Sequence, residues 1–174
     1  MNAISRPVLT SALHAMLSDI AHATRAELGI RHTAVARAMA PYLGNPHLLA
    51  GRDCPCNPQR YCRHLLHNNP EAGYAVIAIV WTPGQMSPVH AHRTWCAFGV
   101  HRGWLAETTF KKDGSTVTPT TCTPSGPGRT GSAPADPHAI HRLANLGTEE
   151  AVSIHVYGVA FDNLGTGVNE IYAA

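Results

Sequence analysis

The chain has 174 residues, of which 44% are hydrophobic, enough for one ordinary globular domain with a buried core. Its 13 Lys and Arg against 11 Asp and Glu give a formal charge of +2 without any block of like charge, so we expect no nucleic-acid partner. No apolar run approaches the roughly 18 residues of a membrane span, and the amino terminus lacks a signal-peptide pattern, so we expect a cytoplasmic protein that does not enter membranes.

Cysteine and histidine are the informative residue types. The five cysteines are an odd number, which argues against a disulfide framework and for reduced thiols. Twelve histidines accompany only three Phe and three Trp. Because histidine is the commonest metal ligand, this excess favours a metal site.

Residues 1–50 predict a helical amino-terminal part. Apolar side chains spaced three and four apart predict an amphipathic helix from Pro7 to about Leu28, and a weaker repeat predicts a second helix from Thr33 to about Leu43. We expect both helices to pack on a sheet as a lid.

Residues 51–174 predict a β-barrel or sandwich in the same domain, which spans 1–174. Seven short runs rich in β-branched and aromatic residues are separated by Gly, Pro and Asn, which is typical of an all-β architecture. The loop at 124–138 is so rich in Gly, Pro and Ser that we expect no element there. The seven runs are RYCRHLLH, YAVIAIVW, WCAFGVH, WLAETTF, STVTPTTCT, AIHRLANL and AVSIHVYG.

The stretch PVHAHRTWCAFGVHRG places His90 and His92 one residue apart. Side chains alternate along a strand, so both histidines point to one face with Cα atoms about 7 Å apart. Two imidazoles placed in this way can converge on one metal ion. Two ligands are too few, however, and on this evidence alone a pair of half-buried polar histidines explains the pattern equally well.

The surroundings of the histidine pair resemble the two sequence motifs of the cupin superfamily. Gly84 and Gly103 stand at the ends of the first motif, and Cys96 replaces its usual glutamate. The stretch GSAPADPHAIHRLAN is similar to the second motif. This resemblance implies a mainly β fold, a cupin (jelly-roll-like) β-barrel with N-terminal α-helices. The residues that match the second motif are Gly131, Pro137, His141 and Asn145.

Three neutral imidazoles at His90, His92 and His141 would leave the charge of a divalent ion uncompensated and would favour an anionic, soft ligand such as a thiolate. In agreement, residues from about Arg60 to Gly158 resemble the thiol dioxygenase family of cysteine dioxygenases and 3-mercaptopropionate dioxygenases. The resemblance implies one Fe(II) per chain on these three histidines. It also implies a small-molecule thiol and O2 as partners, with both oxygen atoms transferred to sulfur to give a sulfinic acid.

The stretch SIHVYG is similar to the Ser-x-His-x-Tyr relay of that family. Strand alternation puts Ser153, His155 and Tyr157 on one face. The resemblance implies that the Tyr157 hydroxyl reaches the substrate and that His155 holds this hydroxyl in place.

The stretch RYCRHLL resembles the strand on which cysteine dioxygenases carry Tyr-x-Arg. We expect Tyr61 and Arg63 to face inward, His64 to face the other side, and the Arg63 guanidinium to clamp a substrate carboxylate. Trp95 is expected to wall the pocket, unless it is a core residue. The Tyr-x-Arg match favours cysteine as the substrate, whereas the HRTW sequence around Trp95 resembles the 3-mercaptopropionate branch, and both substrates remain open.

Cys96 lies where some cysteine dioxygenases carry a cysteine that is joined covalently to the relay tyrosine, here Tyr157. Only three residues separate His92 from Cys96 where that pattern has four, so the strand register could turn the thiol away. A small buried cysteine that packs as a hydrophobic residue is the alternative.

Three other functions were weighed. One is a structural zinc site in CPCNPQRYCRHLLH, although the spacing of its ligands is poor. The others are a different metal-dependent cupin enzyme, such as a ring-cleaving dioxygenase or an isomerase, and a non-enzymatic cupin that only binds a ligand or metal. The ligands available for the zinc site are Cys54, Cys56, Cys62, His64 and His67.

Overall fold

The structure is a computed structural model that describes residues 10–165 and 168–173. Within these residues, two α-helices come first and ten β-strands follow. Within the described ranges, no helix combines the length and the apolar character needed to cross a membrane.

The two helices are α1 (Ser11–Ala23) and α2 (Leu28–Met39), and a 3-10 turn (Ala40–Tyr42) follows α2. The Thr10 hydroxyl accepts a hydrogen bond from the backbone N–H of Leu13 at 3.0 Å, which caps the start of α1. The buried side chains of α1 recur at spacings of three and four, so this helix has one apolar face.

The predicted helix boundaries were partly wrong. α1 ends at Ala23 because backbone hydrogen bonds over residues 22–26 close a tight turn, and Leu28 begins α2 instead of ending α1. The second helix therefore starts before Thr33, and the chain tightens into the 3-10 turn around Pro41, a residue without an N–H. The predicted start at Pro7 lies outside the described residues.

The strands are β1 (Cys62–Asn69), β2 (Tyr74–Trp81), β3 (Val89–His92), β4 (Cys96–Arg102), β5 (Leu105–Asp113), β6 (Thr116–Ser125), β7 (Thr130–Ala133), β8 (Asp136–Ala144), β9 (Ala151–Tyr157) and β10 (Asn169–Tyr172). These described strands form two antiparallel five-stranded sheets. The first has the order β1-β2-β9-β4-β7 and the second the order β10-β3-β8-β5-β6. A further 3-10 turn follows β9.

The core has two main parts on opposite faces of the first sheet. Ile77 and Ile79 of β2 belong to the cluster inside the barrel, whereas Val76 and Ala78 belong to a cluster shared with the helices. This division follows from strand alternation. The helices thus pack on the outer face of the first sheet, away from the barrel interior.

The loop expected at 124–138 contains structure, so this prediction was wrong. β6 extends to Ser125, and β7 pairs with β4 as an edge strand. A Cβ atom at Gly131 would lie 2.5 Å from the ring of Phe98, so glycine lets the two strands approach closely here. β10 was not predicted, and β3 forms a strand separate from β4. The mainly β architecture with amino-terminal helices is confirmed.

Candidate active site

The second sheet brings three histidines together. His90 of β3 lies directly opposite His141 of β8, and the register shifts between His90 and His92. On its other side β3 pairs with β10, where Asn169 lies opposite His92. These pairings place all three imidazoles at one point of the barrel interior.

The three imidazoles are close enough to share an ion. Their ligand atoms all lie within 4.8 Å of one another, and the Nε2 atoms of His92 and His141 are 3.1 Å apart. Among residues 10–165 and 168–173, no other group of three His, Cys, Asp or Glu side chains meets this condition.

Each of the three imidazoles is oriented through its Nδ1 atom. The partner in each case is an oxygen that accepts, so each Nδ1 is the N–H donor and each Nε2 keeps its lone pair for a metal. Nδ1 of His90 lies 2.9 Å from the Pro88 carbonyl oxygen, Nδ1 of His92 lies 3.0 Å from the Asn169 side-chain oxygen, and Nδ1 of His141 lies 2.8 Å from the Glu107 carboxylate. Glu107 and Asn169 were not found from the sequence, because these contacts depend on the strand register across the sheet.

Electrostatics also prepares these groups to bind a metal. Burial, together with the neighbouring imidazoles, lowers the pKa of His90 to about 4 and the pKa of His92 to about 3. Both side chains are therefore neutral near pH 7, which is the form that donates a lone pair. Three imidazole nitrogens are a donor set that fits a divalent transition-metal ion. The Glu107 carboxylate lies behind this set, against Nδ1 of His141.

The histidines line a small cavity that opens to solvent. Ser153 lies behind this lining, hydrogen-bonded to His155. Of the residues predicted for the site, those in the lining are Tyr61, Arg63, His90, His92, His141, His155 and Tyr157.

The predicted relay residues form a buried chain of hydrogen bonds on β9. The Ser153 hydroxyl lies 2.8 Å from Nε2 of His155, and the Tyr157 hydroxyl lies 3.4 Å from its Nδ1. Burial lowers the pKa of His155 well below 6.5 and raises the pKa of Tyr157 above 10, so the pair is a neutral imidazole and a neutral phenol at pH 7. The indole N–H of Trp81 donates to Ser153 at 2.9 Å, a contact that the sequence reading missed.

Arg63 lies at the mouth of this cavity. It pairs with Ile79 of β2, a residue of the inner face, and its Nη2 atom is 3.4 Å from the Tyr61 hydroxyl. The Tyr61 ring stacks on Trp81 with centroids 4.6 Å apart. A guanidinium and a phenol thus lie side by side in the lining of the same cavity as the histidines.

His64 has the orientation that the alternation predicts. It pairs with Ala78, a residue of the outer face, and its Nε2 atom lies 2.9 Å from the carbonyl oxygen of Pro55. His64 is therefore turned away from the cavity.

Trp95 and Cys96 lie on opposite faces of the first sheet. Cys96 is buried in the inner cluster and is the cross-strand partner of Tyr157. Alternation then turns Trp95 outward, where it packs among the side chains under the helices and against Gly158. The expectation that Trp95 walls the pocket was wrong.

The zinc alternative is not supported by the geometry. Cys56 is exposed and His64 binds a backbone carbonyl, and the described cysteines and histidines of this stretch do not converge as a group of three.

Comparison with known proteins identifies the family and agrees with the fold. A family model described as cysteine dioxygenase type I matches residues 4–166. A solved structure of an uncharacterized conserved protein with a double-stranded β-helix domain from Klebsiella pneumoniae has a TM-score of 0.50 at 19% identity, covering 70% of this chain and 86% of that one. This likeness concerns the fold.

Two further structures have lower scores. A cupin superfamily protein from Desulfitobacterium hafniense has a TM-score of 0.47 at 12% identity, covering 64% of this chain and 87% of that one. An oxalate oxidase in complex with the substrate analogue glycolate has a TM-score of 0.46 at 19% identity, covering 59% of this chain. The present chain spans about half of the oxalate oxidase, 53% of its length.

Proposed function

The chain belongs to the cysteine dioxygenase type I family, and from this premise we propose that it is a non-haem Fe(II) thiol dioxygenase. Its substrate is a small thiol carboxylate, cysteine or 3-mercaptopropionate, and its product is the sulfinic acid that carries both atoms of O2.

The observation that carries the proposal is the arrangement of the three histidines. One ligand atom from each lies within 4.8 Å of the others, each Nδ1 contacts a different oxygen acceptor, and the same cavity is lined by Arg63 and Tyr157. An Fe(II) ion held there by His90, His92 and His141, one per chain, would supply the binding and activation of O2 and of the thiol sulfur.

Arg63 is the group that binds the substrate carboxylate. It is the arginine in the cavity lining, and its guanidinium can form two parallel charge-assisted hydrogen bonds with a carboxylate. Tyr61 supports the guanidinium, because its hydroxyl lies 3.4 Å from Nη2 and its ring is fixed by stacking on Trp81. The two residues orient the substrate so that its thiol points toward the histidines.

Tyr157 is the hydrogen-bond donor to the reacting oxygens. Its ring lies 5.6 Å from that of His92, which brings the phenol next to the histidine cluster. Since burial keeps the phenol protonated, it can donate a hydrogen bond without losing its proton. His155 and Ser153 hold the hydroxyl in position from behind.

The proposal is tested with iron-loaded protein and a panel of thiols in an oxygen electrode. We expect O2 uptake with cysteine or 3-mercaptopropionate and little with mercaptosuccinate or with cysteamine, which lacks the carboxylate. Metal analysis should give about one iron per chain, and His141→Ala should lose most of it. Zinc at Cys54 and Cys56, with a metal content unchanged in His141→Ala, would overturn the assignment.

A further inference from the structure

We propose that Trp81 is a positioning residue that sets the direction of the Ser153–His155–Tyr157 hydrogen bonds, so that the hydroxyl hydrogen of Tyr157 points into the cavity. The inference rests on the proposed function, in which Tyr157 donates to the reacting oxygens. Trp81 belongs to a different strand, β2, and decides whether Tyr157 donates into the cavity or to His155.

The indole of Trp81 fixes the direction of the first hydrogen bond. The Nε1–H of Trp81 lies 2.9 Å from the Ser153 hydroxyl oxygen, and an indole nitrogen can only donate. The Ser153 oxygen therefore accepts from Trp81. Ser153 is fully buried, and its single hydrogen must find an acceptor or remain unsatisfied at a considerable cost.

The acceptor for that hydrogen is Nε2 of His155. It lies 2.8 Å from the Ser153 oxygen, and within the described part of the chain no other acceptor for the Ser153 hydroxyl hydrogen is found. A neutral imidazole has one N–H. With Nε2 accepting, the N–H of His155 is on Nδ1, the nitrogen that faces Tyr157.

The last bond of the chain then has a defined direction. Nδ1–H of His155 donates to the Tyr157 hydroxyl oxygen, 3.4 Å away. Because that oxygen acts as the acceptor, the phenolic hydrogen is not used by the relay. It is left for a group in the cavity, beside the three histidines.

The opposite direction of these hydrogen bonds would leave the Ser153 hydrogen without an acceptor. If the N–H of His155 were on Nε2, Ser153 would receive hydrogens from both Trp81 and His155 and its own hydrogen would have no acceptor. Tyr157 would then donate to Nδ1 and turn its hydrogen away from the cavity. Trp81 disfavours this arrangement through the hydrogen bond that it donates.

The position of the indole is itself fixed. Trp81 is 1% exposed, and its ring stacks on Tyr61 with an interplanar angle of 30°. Its strand pairs with β9 in a register that sets Ile79 opposite Ser153 and Trp81 opposite Ala151. The N–H is thus held toward Ser153 by packing as well as by the hydrogen bond.

The tautomer of His155 tests the inference directly and does not depend on turnover. Long-range 1H–15N spectra of the full chain, labelled at histidine and loaded with diamagnetic zinc, distinguish a protonated Nε2 from an unprotonated one, and His155→Gln identifies the signal. We expect Nε2 to be unprotonated in the parent protein and a protonated fraction to appear in Trp81→Phe. An Nε2–H tautomer in the parent, or an unchanged tautomer in Trp81→Phe, would overturn the proposal.

The matched control is Trp95→Phe. It also removes an indole from the first sheet, but on the outer face among the residues packed under the helices. It should leave the His155 tautomer as in the parent. If Trp95→Phe and Trp81→Phe changed the tautomer equally, the effect would be a general loosening of the sheet and the proposal would fail.

Kinetics of the iron-loaded protein provide the second readout. Trp81→Phe should lower kcat about 3- to 10-fold, as expected for one lost hydrogen bond, with little change in the KM for the thiol. In a Tyr157→Phe background the same change should have no further effect, because no phenolic hydrogen is left to direct. Independent losses in the two backgrounds would contradict the inference. If His155 had the expected tautomer but the protein oxidised no thiol, only the proposed function would be refuted.

Discussion

Among single residues, Arg63 is the one that we propose selects the thiol substrate. It lines the cavity, and within the described ranges no carboxylate of the protein forms an ion pair with it, so its charge is available to a ligand. We expect Arg63→Ala to lower kcat/KM for carboxylate thiols by about tenfold or more. The measurement is steady-state oxygen uptake with 3-mercaptopropionate, cysteine and cysteamine.

Cysteamine provides the internal comparison, because it lacks a carboxylate and should be affected less. Arg63→Lys keeps the charge but loses the planar fork, so it should recover only part of the rate. Equal losses for all three thiols would mean that Arg63 supports the structure instead of the substrate.

Glu107 is a second residue whose role can be isolated. Its carboxylate lies 2.8 Å from Nδ1 of His141, where it fixes the ring and makes Nε2 a better donor. Glu107→Ala should weaken Fe(II) binding by roughly 10- to 100-fold, measured by competition with a chelator. Glu107→Gln, which can still accept a hydrogen bond, should lose less.

Glu150→Gln is the control for the charge removed. The Glu150 carboxylate pairs with Arg102 at the surface instead of with a histidine of the cluster. The iron affinity of the Glu150→Gln variant should equal that of the parent protein. Parent-like affinity in Glu107→Ala would show that the carboxylate contributes nothing to the metal site.

At the scale of elements, the register of β4 and β9 decides whether Cys96 can reach Tyr157. The two residues are cross-strand partners in the inner cluster, so the register does not turn the thiol outward. Burial raises the pKa of Cys96 to about 12, which keeps it a protonated thiol in the resting protein. We propose that turnover with iron and O2 joins its sulfur to the Tyr157 ring, with the two lost hydrogens taken up by oxygen.

This crosslink is measured as the intact mass of reduced, denatured protein after increasing numbers of turnovers. A fraction lighter by two hydrogens should grow with turnover and should be absent from both Cys96→Ala and Tyr157→Phe. Protein that keeps its full mass after many turnovers would refute the crosslink and leave the dioxygenase proposal intact.

Elements also show what could be predicted from sequence. Alternation along one strand was enough to place His90 beside His92 and to set Ser153, His155 and Tyr157 in a row. Alternation from Cys96 also turns Trp95 outward, so the expectation that Trp95 walls the pocket ran against this pattern. Apolar spacing could not show the break between α1 and α2, because this spacing continues across the turn.

Side-chain contacts between neighbouring strands could not be predicted from the sequence. Trp81, Glu107 and Asn169 touch the site only because β2, β5 and β10 lie in a particular register beside β9, β8 and β3. Nothing in their own segments distinguishes them from other strand residues. The residues proposed to bind or react were therefore accessible from motifs, whereas the residues that contact them from neighbouring strands required the fold.

At the scale of the whole molecule, buried histidines couple stability to pH. Burial lowers the pKa of five of them, and these groups are neutral in the folded chain but have a pKa near 6.5 when unfolded. The unfolded chain then binds more protons below about pH 6.5, so stability falls as the pH falls toward the folded values near 4. The five are His67, His90, His92, His101 and His155.

Urea unfolding of the metal-free protein at pH 7.5 and pH 5 measures this coupling. We expect a loss of at least roughly 2 kcal/mol in the free energy of unfolding at the lower pH. His90→Gln should reduce the loss, whereas His138→Gln, at an exposed position, should not. A free energy independent of pH across this window would contradict the assignment of neutral, buried imidazoles.

We propose that the whole cavity serves one reaction, the oxidation of a thiol by O2 at an iron ion held by the three histidines, with Arg63 and Tyr157 beside it. Mass spectrometry of the product formed by iron-loaded protein from 3-mercaptopropionate or cysteine under 18O2 tests this reaction. We expect a sulfinic acid that carries two 18O atoms, and its formation should be lost in His141→Ala. A disulfide product, a single labelled oxygen, or an unaffected His141→Ala variant would contradict it.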